Sequence, residues 1–210
     1  MTRDQVLDRL LAAKAVAVIR TKDAAKLAEA ADALRRGGVM AIEVTMTVPG
    51  AVEVIRRMAK AKAEDVLVGA GTVLDAGTAA DVIAAGADFV VSPITDAGMI
   101  EFCRAAGVLA APGAFTPTEI VAAWRAGADI VKVFPATSLG PQFIRDVRGP
   151  LPQLRLMPTG GVTIENARDF IAAGACCVGL GAALVDAKAV EAGDWSAVEA
   201  RARRLMASLR

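Results

Sequence analysis

Histidine does not occur in any of the 210 positions. Nucleophile systems that rely on imidazole are therefore excluded, as are His-ligated zinc sites and the metal-dependent aldol chemistry built on them. Any base or nucleophile must come from Lys, Asp, Glu, Ser, Thr, Cys or Arg. Tyrosine is also absent and aromatics make up only 4%, too few for platforms that stack single-stranded bases. An excess of one charge is missing too: 24 Lys+Arg against 23 Asp+Glu leave +1. Without a basic or acidic block, no footprint for nucleic acid or an anionic membrane is expected. The few cysteines, Cys103, Cys176 and Cys177, lack C-x-x-C spacing and suggest buried thiols in a reducing compartment. Long apolar runs are missing as well. The uncharged stretch 170–185 spans 16 residues with three glycines, whereas a membrane span wants about 20 apolar residues. The N-terminus, MTRDQVLDRL, is charged and amphipathic, unlike a signal peptide. A soluble, cytoplasmic chain of one domain, 1–210, is the expectation.

What is present is a beat. Short β-branched apolar runs recur at 15–19, 41–45, 66–70, 88–92, 108–112, 129–134, 154–158 and 176–180. Their centres lie about 19 to 25 residues apart, the spacing of strand–helix units. Between them runs helical periodicity, as in Leu27, Ala31 and Leu34 or Ala51, Val54, Ile55 and Met58. TPTE at 116–119 is a capping box with proline at the first helical position, and Pro141 reads the same way. Gly86-Ala87-Asp88, Gly127-Ala128-Asp129 and Gly174-Ala175-Cys176 each place a helix-ending glycine before a strand. TRDQ at 2–5 opens an extra N-terminal helix and SAVE at 196–199 a C-terminal one. No Gly-x-Gly-x-x-Gly follows the first strand. A closed (β/α)8 barrel ranks ahead of an open doubly wound sheet.

A barrel keeps its chemistry inside the strands or at their C-terminal ends. Three strands carry a residue that does not suit a plain core: Lys132 in DIVKVF, Glu43 in AIEVT and Arg20 at the end of AVAVIR. Alternation points Lys132 away from Val131 and Val133. The other lysines (14, 22, 26, 60, 62 and 188) sit in Ala- and charge-rich stretches and read as solvated. Burial disfavours a charged amine; bringing one from about 10.4 to about 7 needs roughly 4 kcal/mol of differential environment. Nucleophilic lysines use shifts of that order. The competing reading is a buried Lys132–Glu43 ion pair that only fills the core. Glycines form a second signal. GAGT (69–72) follows the third strand, PTGG (158–161) the seventh and GLG (179–181) the eighth, with a helix starting near Thr163. Backbone N–H groups there suit an anion such as phosphate in the barrel mouth.

These pieces together carry a resemblance. AVIR (17–20), GG-x5-EVT (37–45), VGAGTV (68–73), VSP (91–93), VKVFPA (131–136) and GPLPQLRLMPTGGV (149–162) stand in an order and spacing that resembles the bacterial 2-keto-3-deoxy-6-phosphogluconate (KDPG) / 4-hydroxy-2-oxoglutarate (KHG) aldolases of class I. The resemblance runs from about Ala17 to Trp195. It implies that Lys132 is the Schiff-base lysine and Glu43 the acid/base, acting directly or through a water. It further implies that Thr72 holds the 2-keto carboxylate, that Arg20 is another anion contact, and that Pro93 and Phe134 wall the pocket. Thr159, Gly160 and Gly161 would receive the phosphate. A homotrimer with no metal or organic cofactor is implied as well. Two positions depart from the family pattern: Thr47 stands where many members have Arg, and Ala182 where a Ser commonly meets phosphate. A lost hydroxyl to a charged acceptor forfeits about 1.5–3 kcal/mol, so a non-phosphorylated or shorter keto acid is a contender. Two further alternatives are a phosphate-binding barrel isomerase, epimerase or synthase without an imine, and a sugar-acid binder without catalysis. Retention of Lys132 and Glu43 in apolar strands counts against the last.

Overall fold

The computed structural model describes residues 1–20 and 24–210; Lys22 lies outside them. An N-terminal helix, α1 (Arg3–Ala13), opens with the expected capping box between Thr2 and Gln5. Strands and helices then alternate: β1 (Ala15–Ile19), α2 (Ala24–Arg36), β2 (Ala41–Thr45), α3 (Ala51–Ala61), β3 (Leu67–Gly71), α4 (Ala76–Ala84), β4 (Phe89–Val91) and α5 (Ala97–Ala105). Next come β5 (Leu109–Ala111), β6 (Gly113–Ala114), α6 (Pro117–Arg125), β7 (Val131–Val133), α7 (Gly140–Arg148), β8 (Leu156–Pro158), α8 (Ala167–Ala172), β9 (Val178–Leu180), α9 (Ala187–Ala192) and α10 (Trp195–Ser208).

The architecture is α/β with parallel strand pairing throughout. Six strands form one sheet in the order β5-β4-β3-β2-β1-β9, and three form another, β6-β7-β8. Each of the eight expected strands is present, but the fifth is divided. Pro112 has no N–H to give to a ladder, so β5 ends before it and β6 begins after it. The proline carbonyl still accepts from Lys132 N at 2.8 Å. A single parallel bridge, Thr159 with Gly179, joins the two sheets at their other border.

The repeated Gly-Ala phrase has one structural meaning. At Gly86, Gly127 and Gly174 the backbone is left-handed, with φ of +97°, +104° and +104°. Each time the glycine N–H and the next N–H close the preceding helix, for example onto Ile83 O and Val82 O. Other ends differ from expectation. Asp194, not Ser196, caps the last helix, accepting from Ala197 N at 3.0 Å. Thr163 and Asn166 bond each other reciprocally in a turn, and α8 starts only after it. The Thr116–Glu119 capping box and Pro117 stand as expected.

Two apolar layers follow from strand alternation. Residues such as Ile42, Val44, Val131 and Val133 pack outward under the helices. Val16, Leu67, Phe89, Leu109, Ile130 and Cys177 point inward, where Val6 and Leu10 of α1 cover them. Arg3 secures that helix by an ion pair with Asp129 at 2.6 Å. Among the described residues no helix is long and apolar enough to cross a membrane.

Candidate active site

The inward parity that buries Ile130 and Met157 also points Lys132 inward, one layer nearer the C-terminal end of β7. Its side chain is 4% exposed, and Glu43, inward on β2, is 1% exposed. They share the interior without touching: among the described residues neither group forms an ion pair or a hydrogen bond. The core-filling ion pair weighed above is therefore not the arrangement found. The Lys132 amine lies 4.9 Å from the Phe134 ring centre. Two other lysines depart from the solvated reading. Lys62 pairs with Asp88, and Lys14 donates to the Leu209 carbonyl at 2.8 Å.

Burial dominates both titrations. It pushes the Glu43 carboxyl above its ordinary value, with the charges of Lys132 and Arg20 pulling it partly back. It pushes the Lys132 amine below its ordinary value; Glu43 opposes this and Arg20 reinforces it. Both shifts favour neutral forms. A neutral amine is a nucleophile, and raising a carboxyl's pKa makes it a stronger base for taking a proton.

The expected strand 66–70 already held Gly69; β3 runs on to Gly71, so both glycines of GAGT lie inside the strand rather than after it. A Cβ on Gly69 would lie 2.2 Å from the Phe89 ring, and one on Gly71 only 1.8 Å from Glu43 Oε1. Gly179, inside β9, likewise leaves room for Thr159, whose Oγ1 would be 2.3 Å from an added Cβ. These clearances were missed, although 67, 69 and 71 share the inward parity that signals them. Thr45 was missed also; it is fully buried, and its hydroxyl shares a 2.6 Å hydrogen bond with that of Thr47.

Above this layer a cavity of about 310 Å³ brings together Arg20, Phe134, Thr159, Gly160, Gly161 and Ala182. Gly160 and Gly161 both take left-handed backbone, φ +82° and +79°. Thr72 and Pro93 are not part of this lining. Thr72 follows β3 with φ +61°, a conformation uncommon for a non-glycine residue and concentrated at functional sites. Pro93 follows β4 and crosses over Gly113, where an added Cβ would lie 2.3 Å from the proline carbonyl carbon.

Comparison with known proteins identifies the family. A family profile described as KDPG and KHG aldolase matches residues 6–201. The 2-dehydro-3-deoxy-phosphogluconate aldolase of Pseudomonas aeruginosa is 36% identical over 196 residues, 92% of this chain and 88% of that one. The KHG/KDPG aldolase of Escherichia coli is 36% identical over 190 residues, 90% and 88% of the two chains. A crystal structure of KDPG aldolase from Legionella pneumophila, with pyruvate captured as a covalent carbinolamine, superposes with a TM-score of 0.89. It is 28% identical, with 96% of this chain and 98% of that chain covered.

Proposed function

The chain belongs to the KDPG and KHG aldolase family, and from that premise we propose that it cleaves 2-keto-3-deoxy-6-phosphogluconate to pyruvate and glyceraldehyde 3-phosphate through an imine on Lys132. The shorter 4-hydroxy-2-oxoglutarate, giving pyruvate and glyoxylate, is a second substrate of the same chemistry. The observation that carries the reading is a buried amine and a buried carboxyl that face the same interior without forming an ion pair with each other, both pushed toward their neutral forms by burial.

Neutral Lys132 attacks C2 of the keto acid to form a carbinolamine, and loss of water gives a protonated imine. That cation draws electrons from the C3–C4 bond. Glu43 takes the proton of the C4 hydroxyl as the bond breaks, releasing the aldehyde and leaving an enamine. Glu43 returns a proton to C3, and water hydrolyses the resulting imine to pyruvate and free amine. The imine is its own electron sink, so the scheme needs no metal or organic cofactor. Thr72 holds the carboxylate end, Arg20 is a further anion contact, and Pro93 and Phe134 confine the chain. Thr159, Gly160 and Gly161 meet the phosphate in the upper cavity.

The same reading extends to the scaffold. A closed (β/α)8 barrel of one domain is supported by the bridge between Thr159 and Gly179 and by the continuity of the chain through Pro112. A homotrimer is supported by Leu74, Ile94 and Phe115, apolar side chains 39–49% exposed on loops after neighbouring strands. A cytoplasmic setting fits three unpaired thiols.

Ala182 favours a second substrate class. It lines the cavity without a hydroxyl, which suits a non-phosphorylated 2-keto acid. Borohydride reduction in the presence of pyruvate tests the mechanism: a permanent adduct on Lys132 is expected, and its absence overturns the imine. Glu43→Gln should still be trapped while turning over far more slowly. Rates on phosphorylated and plain keto acids then separate the two substrate classes.

A further inference from the structure

The three Gly-Ala phrases end in Asp88, Asp129 and Cys176, and the third is the exception. Asp88 Oδ2 accepts from Val68 N at 2.8 Å, and Asp129 Oδ2 accepts from Ala110 N at 3.0 Å. Each carboxylate ties the start of its own strand to an earlier one, Asp88 to β3 and Asp129 to β5. At the matching place in the third unit stands a thiol, whose Sγ lies 3.3 Å from Leu156 O. A second thiol follows directly, with Sγ of Cys176 and Sγ of Cys177 3.8 Å apart.

We propose that Cys176 and Cys177 form a vicinal dithiol site that captures trivalent arsenic oxides at the N-terminal end of β9, separate from Lys132. The bite is right. A tetrahedral centre with bonds to sulfur of about 2.3 Å holds two sulfurs about 3.8 Å apart, and a pyramidal arsenic needs only a small further approach. Donor count selects the occupant. A structural zinc site needs four protein ligands, yet among the described residues no group of three or more His, Cys, Asp or Glu side chains could hold a metal. Trivalent arsenic takes two protein sulfurs and brings its third substituent with it.

Access and reactivity agree. Cys176 is partly exposed and Cys177 is buried behind it among Val16, Leu67 and Leu109. The hydrogen bond shared with Cys177, helped by the nearby charge of Arg155, holds the Cys176 thiol below its ordinary value despite burial. Cys176 attacks first. In the balanced step an organoarsenic oxide meets two thiols: two As–S bonds form, both S–H protons leave with the oxide oxygen as one water, and arsenic stays trivalent. Cys103 takes no part. It is buried against Met99, and burial pushes its thiol up to about 12.

The test uses the native full-length chain titrated with phenylarsine oxide at neutral pH, followed by intact mass and a count of remaining thiols. One arylarsenic per chain, two thiols lost, resistance to excess glutathione and release by a small dithiol are expected. Cys176→Ser and Cys177→Ala should each raise the half-saturating concentration by about 10²-fold or more, the loss expected when a two-point attachment becomes one-point. Cys103→Ser and Lys132→Ala should bind as the wild type does. Should Cys177→Ala fail to fold, Cys176→Ser on the more open side decides. No glutathione-resistant adduct on the wild type, one that survives Cys176→Ser, or one that requires Cys103 would each overturn the site.

Discussion

Adding one methyl group to Gly71 probes Glu43 without altering any ionisable group. Gly71 has an ordinary backbone conformation, so alanine brings no φ penalty there. The whole effect is steric. The new Cβ would stand 1.8 Å from Glu43 Oε1, 2.5 Å from its Cδ and 2.7 Å from its Cγ. Moving the nearest oxygen from 1.8 Å to a tolerable 3.0 Å displaces the carboxylate by at least 1.2 Å. A misplacement of about 1 Å costs on the order of 10²-fold in rate, or about 2.7 kcal/mol in the barrier. Overpacking should also remove about 1–3 kcal/mol of stability, less than the about 5–15 kcal/mol of a typical domain. Coupling pyruvate release to lactate dehydrogenase gives kcat, and urea unfolding gives the stability. Borohydride trapping of pyruvate on Lys132 should persist, because the amine sits on a different strand. Gly69→Ala is the matched control: its Cβ would press on the Phe89 ring rather than on a carboxylate, so it should cost stability with much less loss of rate. A folded Gly71→Ala enzyme with kcat within twofold of the wild type would refute Glu43 as the proton-transfer group.

Three other outcomes follow from the same geometry. Lys132→Ala should abolish both cleavage and pyruvate trapping while circular dichroism and unfolding show a folded chain; residual trapping would place the imine elsewhere. Glu43 has a folded pKa raised above its ordinary value of 4.5, so the folded state holds its proton more tightly and the associated stability is complete below about pH 4.5. That stability is lost as pH rises through the folded value. Urea unfolding of wild type against Glu43→Gln should therefore show the variant gaining relative stability with rising pH, and a constant difference would contradict a buried carboxyl. Ala182→Ser restores a hydroxyl to the cavity wall, and a charge-assisted hydrogen bond of about 1.5–3 kcal/mol predicts a KM for phosphorylated substrate lower by about tenfold or more. An unchanged KM would move the phosphate away from Ala182.

Much of the fold was legible because local signals carry their own physics. The Thr116–Glu119 box and the left-handed glycines at 86, 127 and 174 act within a few residues, and each appears where the sequence places it. The strand runs were equally legible, since an apolar β-branched segment between such signals has few other places to go. Errors fell where neighbours in space decide. Pro112 looked like the end of a strand but divides one, because its cost depends on which partner would have received its missing N–H. Asp194 captured the last helix from Ser196 because its carboxylate reaches Ala197 N.

The site divides along the same line. The sequence by itself determined which groups were open to chemistry: without histidine, a lysine in one apolar strand and a glutamate in another stood out, alternation turned the lysine away from its valines, and the family resemblance implied an imine on it. Only the tertiary structure decided that amine and carboxyl share one interior without pairing with each other, so that burial shifts both toward their neutral forms. It also decided that Gly71 exists to clear space for Glu43. Those facts depend on distances between strands far apart in the chain, and desolvation is set by everything packed around a group rather than by the residues beside it in sequence.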